Sequence, residues 1–210
     1  MKTAHPAVRF VFQDPARPPY SDSDHGSAEL EHTTSVSLAR ALAVGCLSRL
    51  DPDRECIDIW DPAAGSGFAG FLLVDALQSA GAQVRYRGQD INGAVVSASK
   101  HRFEGVPDFE LAVGNTLVDD AFADFVADLV IVDAPWGMSW AGSASAVEAR
   151  RNEGAFGFGL PQRTDSTWLF ISLALERLRP AEQGGGRVAA LVNPGALSSG
   201  GITRACPVNG

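Results

Sequence analysis

From Cys56 onward, short apolar runs of strand length alternate with longer stretches of helical spacing. This alternation limits the chain to few architectures, because each apolar face has to be covered by the element next to it. The run Leu129-Val130-Ile131-Val132 has no polar side at all, as expected of a strand buried on both faces of a parallel sheet. Strands are predicted at Cys56–Trp60, Val84–Gly88, Phe109–Val113, Leu129–Val132 and Arg187–Val192. Helices are predicted at Gly67–Ala80, Gly93–Phe103 and Thr167–Leu178. Another helix, opened by the capping residues Thr33, Thr34 and Ser35, carries Val36, Leu38, Ala39, Leu42, Ala43, Cys46, Leu47 and Leu50 at helical spacing. The pattern predicts an α/β fold with an open, mostly parallel, doubly wound sheet.

The first thirty residues read differently. One apolar run, Val8 to Phe12, is followed by Asp14-Pro15, Arg17-Pro18-Pro19 and Ser21-Asp22-Ser23-Asp24. Prolines fix φ and remove donors, so residues 1–30 are expected to be an arm or loop and residues 31–210 one domain. No apolar run is long enough to cross a membrane and the N-terminus lacks a signal-peptide core. The three cysteines, Cys46, Cys56 and Cys206, form no CxxC pair, which suits reduced thiols and a cytoplasmic protein. The scattered His5, His25, His32 and His101 have no metal-ligand spacing, so no metal is expected. A net charge of -8 argues against tight non-specific binding of nucleic acid by this chain alone.

Ligands of such sheets sit beyond the carboxyl ends of the strands. The first such loop, Asp61-Pro62-Ala63-Ala64-Gly65-Ser66-Gly67, runs into a helix. It is either a tight turn or a cradle of free amides and closely approachable backbone. The second carries Asp90, 29 positions after Asp61 and close to where a ribose-binding carboxylate falls; the alternative for Asp90 is a helix N-cap. In the third, Asn115 is either a contact to an adenine ring or a turn former. The fourth is Asp133-Ala134-Pro135-Trp136.

Taken together, the Asp-Pro-Ala-x-Gly-Ser-Gly loop and the later tetrapeptide resemble the S-adenosylmethionine-dependent, amino-methylating DNA methyltransferases. The chain is most similar to N6-adenine enzymes of the kind found as modification subunits of type I restriction systems. Gly159-Leu160-Pro161, Asp165 to Leu178, Gly185 to Ala189 and Asn193-Pro194-Gly195-Ala196-Leu197 follow that family's order, and the resemblance runs from Glu31 to Gly201. It implies a Rossmann-like class I fold and S-adenosylmethionine as cofactor, held by Thr34, Asp61, Ala63, Gly65, Ser66, Gly67, Asp90, Ile91 and Asn115. It implies Asp133, Ala134, Pro135 and Trp136 as the catalytic set. The Asp133 carboxylate and the Ala134 carbonyl would accept the two N–H groups of the target amine, and Trp136 would stack on a flipped base; the alternative for Trp136 is a core plug. DNA is the implied partner, reached through another domain or a specificity subunit.

The chain departs from the family pattern in four ways. Ala134 and Ser35 stand where the family has proline, and Phe68-Ala69 precedes Gly70 in the glycine loop. The family's last strands and target-recognition region are not visible after Ile202. A truncated catalytic domain is therefore expected, whose edge a protein partner could cover. RNA, a protein amide, or a non-catalytic role remain as alternatives.

The Gly-, Ala- and Ser-rich stretch from Gly137 to Arg163 is longer than most structureless connections. It is expected to be a mobile cover over the target base. Arg150, Arg151 and Arg163 are either phosphate contacts or a solvated face, and Trp140 either a second aromatic wall or an anchor. Gly184-Gly185-Gly186 is expected to end a helix and start a strand.

Overall fold

The computed structural model describes residues 36–47, 54, 56–135 and 137–192. Five strands form one sheet: β1 (Cys56–Asp61), β2 (Gln83–Asp90), β3 (Asp108–Val113), β4 (Leu129–Val132) and β5 (Arg187–Ala190). All are parallel and their order is β3-β2-β1-β4-β5. The chain lays β2 and β3 on one side of β1 and then crosses to the other side for β4 and β5. The strand order therefore reverses between β1 and β4, where such sheets open a crevice at their carboxyl ends. The sheet is open, and a helix separates each pair of successive strands except β3 and β4, which are joined directly through residues 114–128.

Five helices accompany it: α1 (Val36–Leu47), α2 (Phe68–Ser79), α3 (Gly93–Lys100), α4 (Ala144–Asn152) and α5 (Thr167–Glu176). One core joins Ala39, Leu42, Cys46, Leu72, Leu73, Leu77 and Val96 of α1 to α3 with Ile57, Ile59, Val84, Tyr86, Leu129 and Ile131 of the sheet. The other face packs Trp60, Val130 and Val132 against Val147 of α4 and Leu169, Phe170 and Leu173 of α5. Burial on both faces explains why the β4 run is apolar throughout.

The boundaries differ from the sequence reading in instructive ways. β2 continues to Asp90 because its register pairs Asp90 with Val113 of β3. The last turn of the helix read as Gly93–Phe103 tightens into a 3-10 turn at His101–Phe103. The largest correction concerns 137–163. It is not one long loop: a 3-10 turn at Ala141–Ser143 leads into α4. Gly184, in the left-handed region, closes a short 3-10 turn (Ala181–Gln183) just before β5.

Two aspartates are buried toward the amino ends of the central strands. Asp58 lies in β1 and Asp128 immediately precedes β4. They tie the strands reciprocally: Asp58 N donates to Asp128 Oδ2 at 2.9 Å, and Asp128 N donates to the Asp58 carbonyl at 2.8 Å. Arg85 bonds both Asp58 oxygens at 2.5 and 2.6 Å. Arg179 reaches Asp58 at 2.9 Å and Asp128 at 2.6 Å, and Arg54 also pairs with Asp128. Charges this deep are tolerated only when paired and hydrogen-bonded.

Candidate active site

The loop between β1 and α2 is shaped by two glycines. Gly65 (φ 52°) and Gly67 (φ 69°) both sit in the left-handed region, and Gly67 is the N-cap of α2. A Cβ on Gly67 would come within 2.7 Å of the Phe103 ring, whereas nothing lies within 4 Å of one built on Gly65. One glycine thus allows close packing below the turn, and the other leaves backbone open above it. The turn is pinned from three directions. Ala64 N donates to the Gln89 carbonyl at 3.0 Å and Gly67 N to the Ala64 carbonyl at 2.7 Å. Gly65 N donates to Asp90 Oδ2 at 2.8 Å. Arg102 Nε donates to the Ser66 carbonyl at 3.1 Å, with its guanidinium 5.1 Å from the centre of the Phe68 ring.

Three aspartates stand at the carboxyl ends of β1, β2 and β4. Asp61 is buried; Tyr86 Oη donates to it at 3.0 Å and Ala63 N at 3.4 Å. Burial outweighs both bonds and, with Asp133 and Asp90 nearby, pushes the Asp61 carboxyl up to about 7. The Tyr86 hydroxyl is raised well above its ordinary range by its own burial and by Asp61, so it stays a proton donor. Asp133 is half-buried, and loss of solvent alone lifts it to about 6. Asp90 is not the helix cap: Asn92 caps α3, accepting from Ala94 N and Val95 N. Asp90 instead accepts from Gly65 N and Asn92 N, joining the glycine turn to the β2 end.

Next to Asp90, Ile91 is 67% exposed, an apolar side chain held open at the strand end. The room above Gly65, the rim carboxylate of Asp90 as acceptor, exposed Ile91 and the amide of Asn115 are polar groups and apolar surface of the kind a nucleoside needs. The residues present fit an adenosine-bearing cofactor.

Beyond β3, Asn115 Oδ1 accepts from Leu117 N at 3.1 Å, the turn-forming contact, while Asn115 Nδ2 lies 3.4 Å from Ser143 Oγ. Buried Thr116 donates through Oγ1 to the Pro62 carbonyl at 2.7 Å, so this loop rests on the glycine turn. Gln89 ties the same region to β2, donating to the Asp119 carbonyl at 2.7 Å and accepting from Ala121 N at 3.0 Å. Sequence reasoning passed over Tyr86, Gln89, Arg102 and Thr116. In the structure Gly70 on α2 makes room for Tyr86: a Cβ there would fall 2.5 Å from its ring and hydroxyl.

Asp133, Ala134 and Pro135 follow β4 directly, with Ala134 buried in the second core. Thr34 and Trp136 lie outside the described residues, as do the N-terminal arm and the Asn193–Leu197 segment. Trp140 is a buried anchor: its Nε1 donates to the Gln162 carbonyl at 3.0 Å and its backbone N to the Arg163 carbonyl at 3.0 Å. Arg163 lies 5.8 Å from the centre of its ring and pairs with Glu148 at 2.6 Å. Trp140, Glu148, Arg151, Leu160, Pro161, Gln162 and Arg163 line a cleft of about 370 Å³. Arg150 is a correction to the phosphate-contact expectation. It turns inward and donates to the Thr116 carbonyl at 2.6 Å, with its guanidinium 5.5 Å from the centre of the Phe156 ring. Among the described residues no group of three or more His, Cys, Asp or Glu could hold a metal ion, and no helix is long and apolar enough to cross a membrane.

A family model described as N-6 DNA Methylase matches residues 38–205. No curated protein matches the chain. Among solved structures, the methyltransferase subunit of a type I restriction-modification system from Streptococcus thermophilus is similar, with TM-score 0.66 and 22% identity over 80% of this chain and 36% of that one. A protein from Listeria monocytogenes described as a class I S-adenosylmethionine-dependent methyltransferase is similar at TM-score 0.63 and 19% identity, over 81% of this chain and 51% of that one. At these identities the likeness establishes a shared fold, and the chain spans only about a third to a half of those proteins' lengths.

Proposed function

Because the chain belongs to the N-6 DNA methylase family, we propose that it transfers a methyl group from S-adenosylmethionine to the exocyclic N6 amine of adenine in DNA. The observation that carries this reading is the convergence of Asp61, Asp90 and Asp133 with an open glycine turn where the strand order reverses. Gly65, Ser66, Gly67 and Ala63 would face the cofactor, with Asp61 beneath the turn. Asp90 would accept from ribose hydroxyls, while Ile91 and Asn115 would flank the adenine. Thr34 would complete the pocket from the N-terminal side.

When bound, S-adenosylmethionine supplies an electrophilic methyl group on a sulfonium with a good leaving group. The task left to the protein is alignment and activation of the acceptor. The N6 amine is a weak nucleophile because its lone pair is delocalised into the ring. The Asp133 carboxylate and the Ala134 carbonyl accept its two N–H bonds, which concentrates electron density on nitrogen. Alanine keeps the carbonyl that proline would have offered, so this departure from the family pattern leaves the acceptor pair intact. Pro135 would restrict the turn, and Trp136 would stack on the flipped base, a contact worth about 1–3 kcal/mol per base in single-strand sites.

DNA would approach the cleft rimmed by Arg151 and Arg163. Sequence readout would come from a further domain or a specificity subunit, and so would much of the phosphate neutralisation, because the chain's net charge is -8. Residues 31–210 serve as the catalytic domain. The free thiols of Cys46 and Cys56 suit a cytoplasmic setting.

The test is transfer of labelled methyl to duplex DNA, RNA and a glutamine-bearing peptide. Wild type should label adenine N6 in DNA. Asp133→Ala should lose at least about a hundredfold in rate, the scale of removing one transition-state contact. Wild type should slow as pH drops below about 6, where Asp133 takes up a proton, whereas Asp133→Asn, which keeps an acceptor oxygen, should retain turnover without that fall. Labelling of RNA or peptide in place of DNA would overturn the substrate assignment.

A further inference from the structure

The side chain that joins α4 to the β3 loop is charged, and nothing in the proposed reaction uses it. Arg150 is withdrawn from solvent far enough that burial pulls its guanidinium pKa down, with Asp120, Glu176 and Asp119 acting in the opposite direction. It is held by one strong bond, Nη1 to the Thr116 carbonyl at 2.6 Å, and by the face of Phe156. Phe156 is fully buried and the one described non-glycine residue at positive φ (56°), so the chain accepts backbone strain to put that ring there. A half-buried guanidinium bonded to a single backbone carbonyl favours the one arrangement of the loop that presents that carbonyl to it.

The contacts run on from there. Thr116 bonds the Pro62 carbonyl in the glycine turn, and Asn115, one residue before it, meets Ser143 at the start of α4. Helix α4 therefore grips the β3 loop at two points: Arg150 in its last turn and Ser143 at its N-cap. We infer that Arg150 is a positioning residue for the cofactor's adenine subsite, fixing the Asn115 amide through the Thr116 carbonyl and so coupling the segment after the tetrapeptide to cofactor affinity. This rests on the reading of Asn115 as an adenine contact.

The experiment is calorimetry with S-adenosylhomocysteine on wild type, Arg150→Met, Asn115→Ala and the double variant. Arg150→Met should weaken binding about tenfold, within the usual range of inter-site coupling. The double variant should bind no more weakly than the weaker single, because both substitutions remove one interaction. Wild-type affinity in Arg150→Met, or losses that multiply in the double variant, would overturn the inference and leave the cofactor assignment standing. Absence of binding by wild type would instead sink the cofactor assignment, and the inference with it. Should Arg150→Met fail to fold, Ser143→Ala takes its place: a loss of a few-fold that vanishes in the Asn115→Ala background supports the same coupling, and a loss that persists there overturns it.

Discussion

Asp61 shows how a residue can be costly to the fold and still be kept. Its carboxyl titrates near about 4 in an unfolded chain and at about 7 in the folded one. Between those values the folded state holds a proton that the unfolded state has released. Stability therefore falls as pH rises through that window, by up to about 1.4 kcal/mol per pH unit for a full proton, and falls no further above it. Asp133 acts in the same direction up to about 6. The urea midpoint should accordingly decline between pH 4 and 7. Asp61→Asn keeps an acceptor for the Tyr86 hydroxyl and removes the charge, so it should flatten that decline and raise the midpoint at pH 8. A midpoint that rises with pH in wild type would contradict the burial of this carboxylate.

At the scale of elements, α2 lies against β2 because Gly70 leaves room for the Tyr86 side chain that reaches Asp61. Gly70→Ala would put a methyl 2.5 Å from the ring and hydroxyl. Overpacking of this kind costs about 1–3 kcal/mol. Denaturant unfolding should show that loss, and Tyr86→Phe in the same chain should recover part of it, because the hydroxyl is one of the clashing atoms. The elements themselves were largely legible. β4 announces itself by an unbroken apolar run and β1 and β2 by alternation of apolar and polar residues, and Asp61, Asp90 and Asp133 were findable because they stand at strand ends. Helix α4 was not, since it buries only Ala144 and Val147 and so shows barely one turn of periodicity. The contacts of Tyr86, Gln89, Thr116 and Arg150 span 25 or more residues. No local pattern encodes an approach of that length, and the inward turn of Arg150 belongs to this class.

At the scale of the whole molecule, the buried Asp58–Asp128 pair under Arg85, Arg179 and Arg54 joins β1 to β4, the two strands between which the order reverses. Arg179 is the arginine that touches both aspartates. Arg179→Met should cost about 1.5–3 kcal/mol, because it removes charge-assisted bonds from two buried aspartates that keep Arg85 and Arg54. Thermal melts would read this directly, and a loss below about 1 kcal/mol would mean that Arg85 and Arg54 suffice. The protein is thus electrically lopsided. Cations cap the carboxylates at one rim of the sheet, while at the opposite rim Asp61, Asp90 and Asp133 have no arginine or lysine bonded to them among the described residues. The methyl donor proposed for that second rim carries a positive sulfonium and would become a neutral thioether, so the bias that favours it there would slacken once the methyl had gone. On the proposed reading, that rim would hold the charged donor more tightly than the neutral product it becomes.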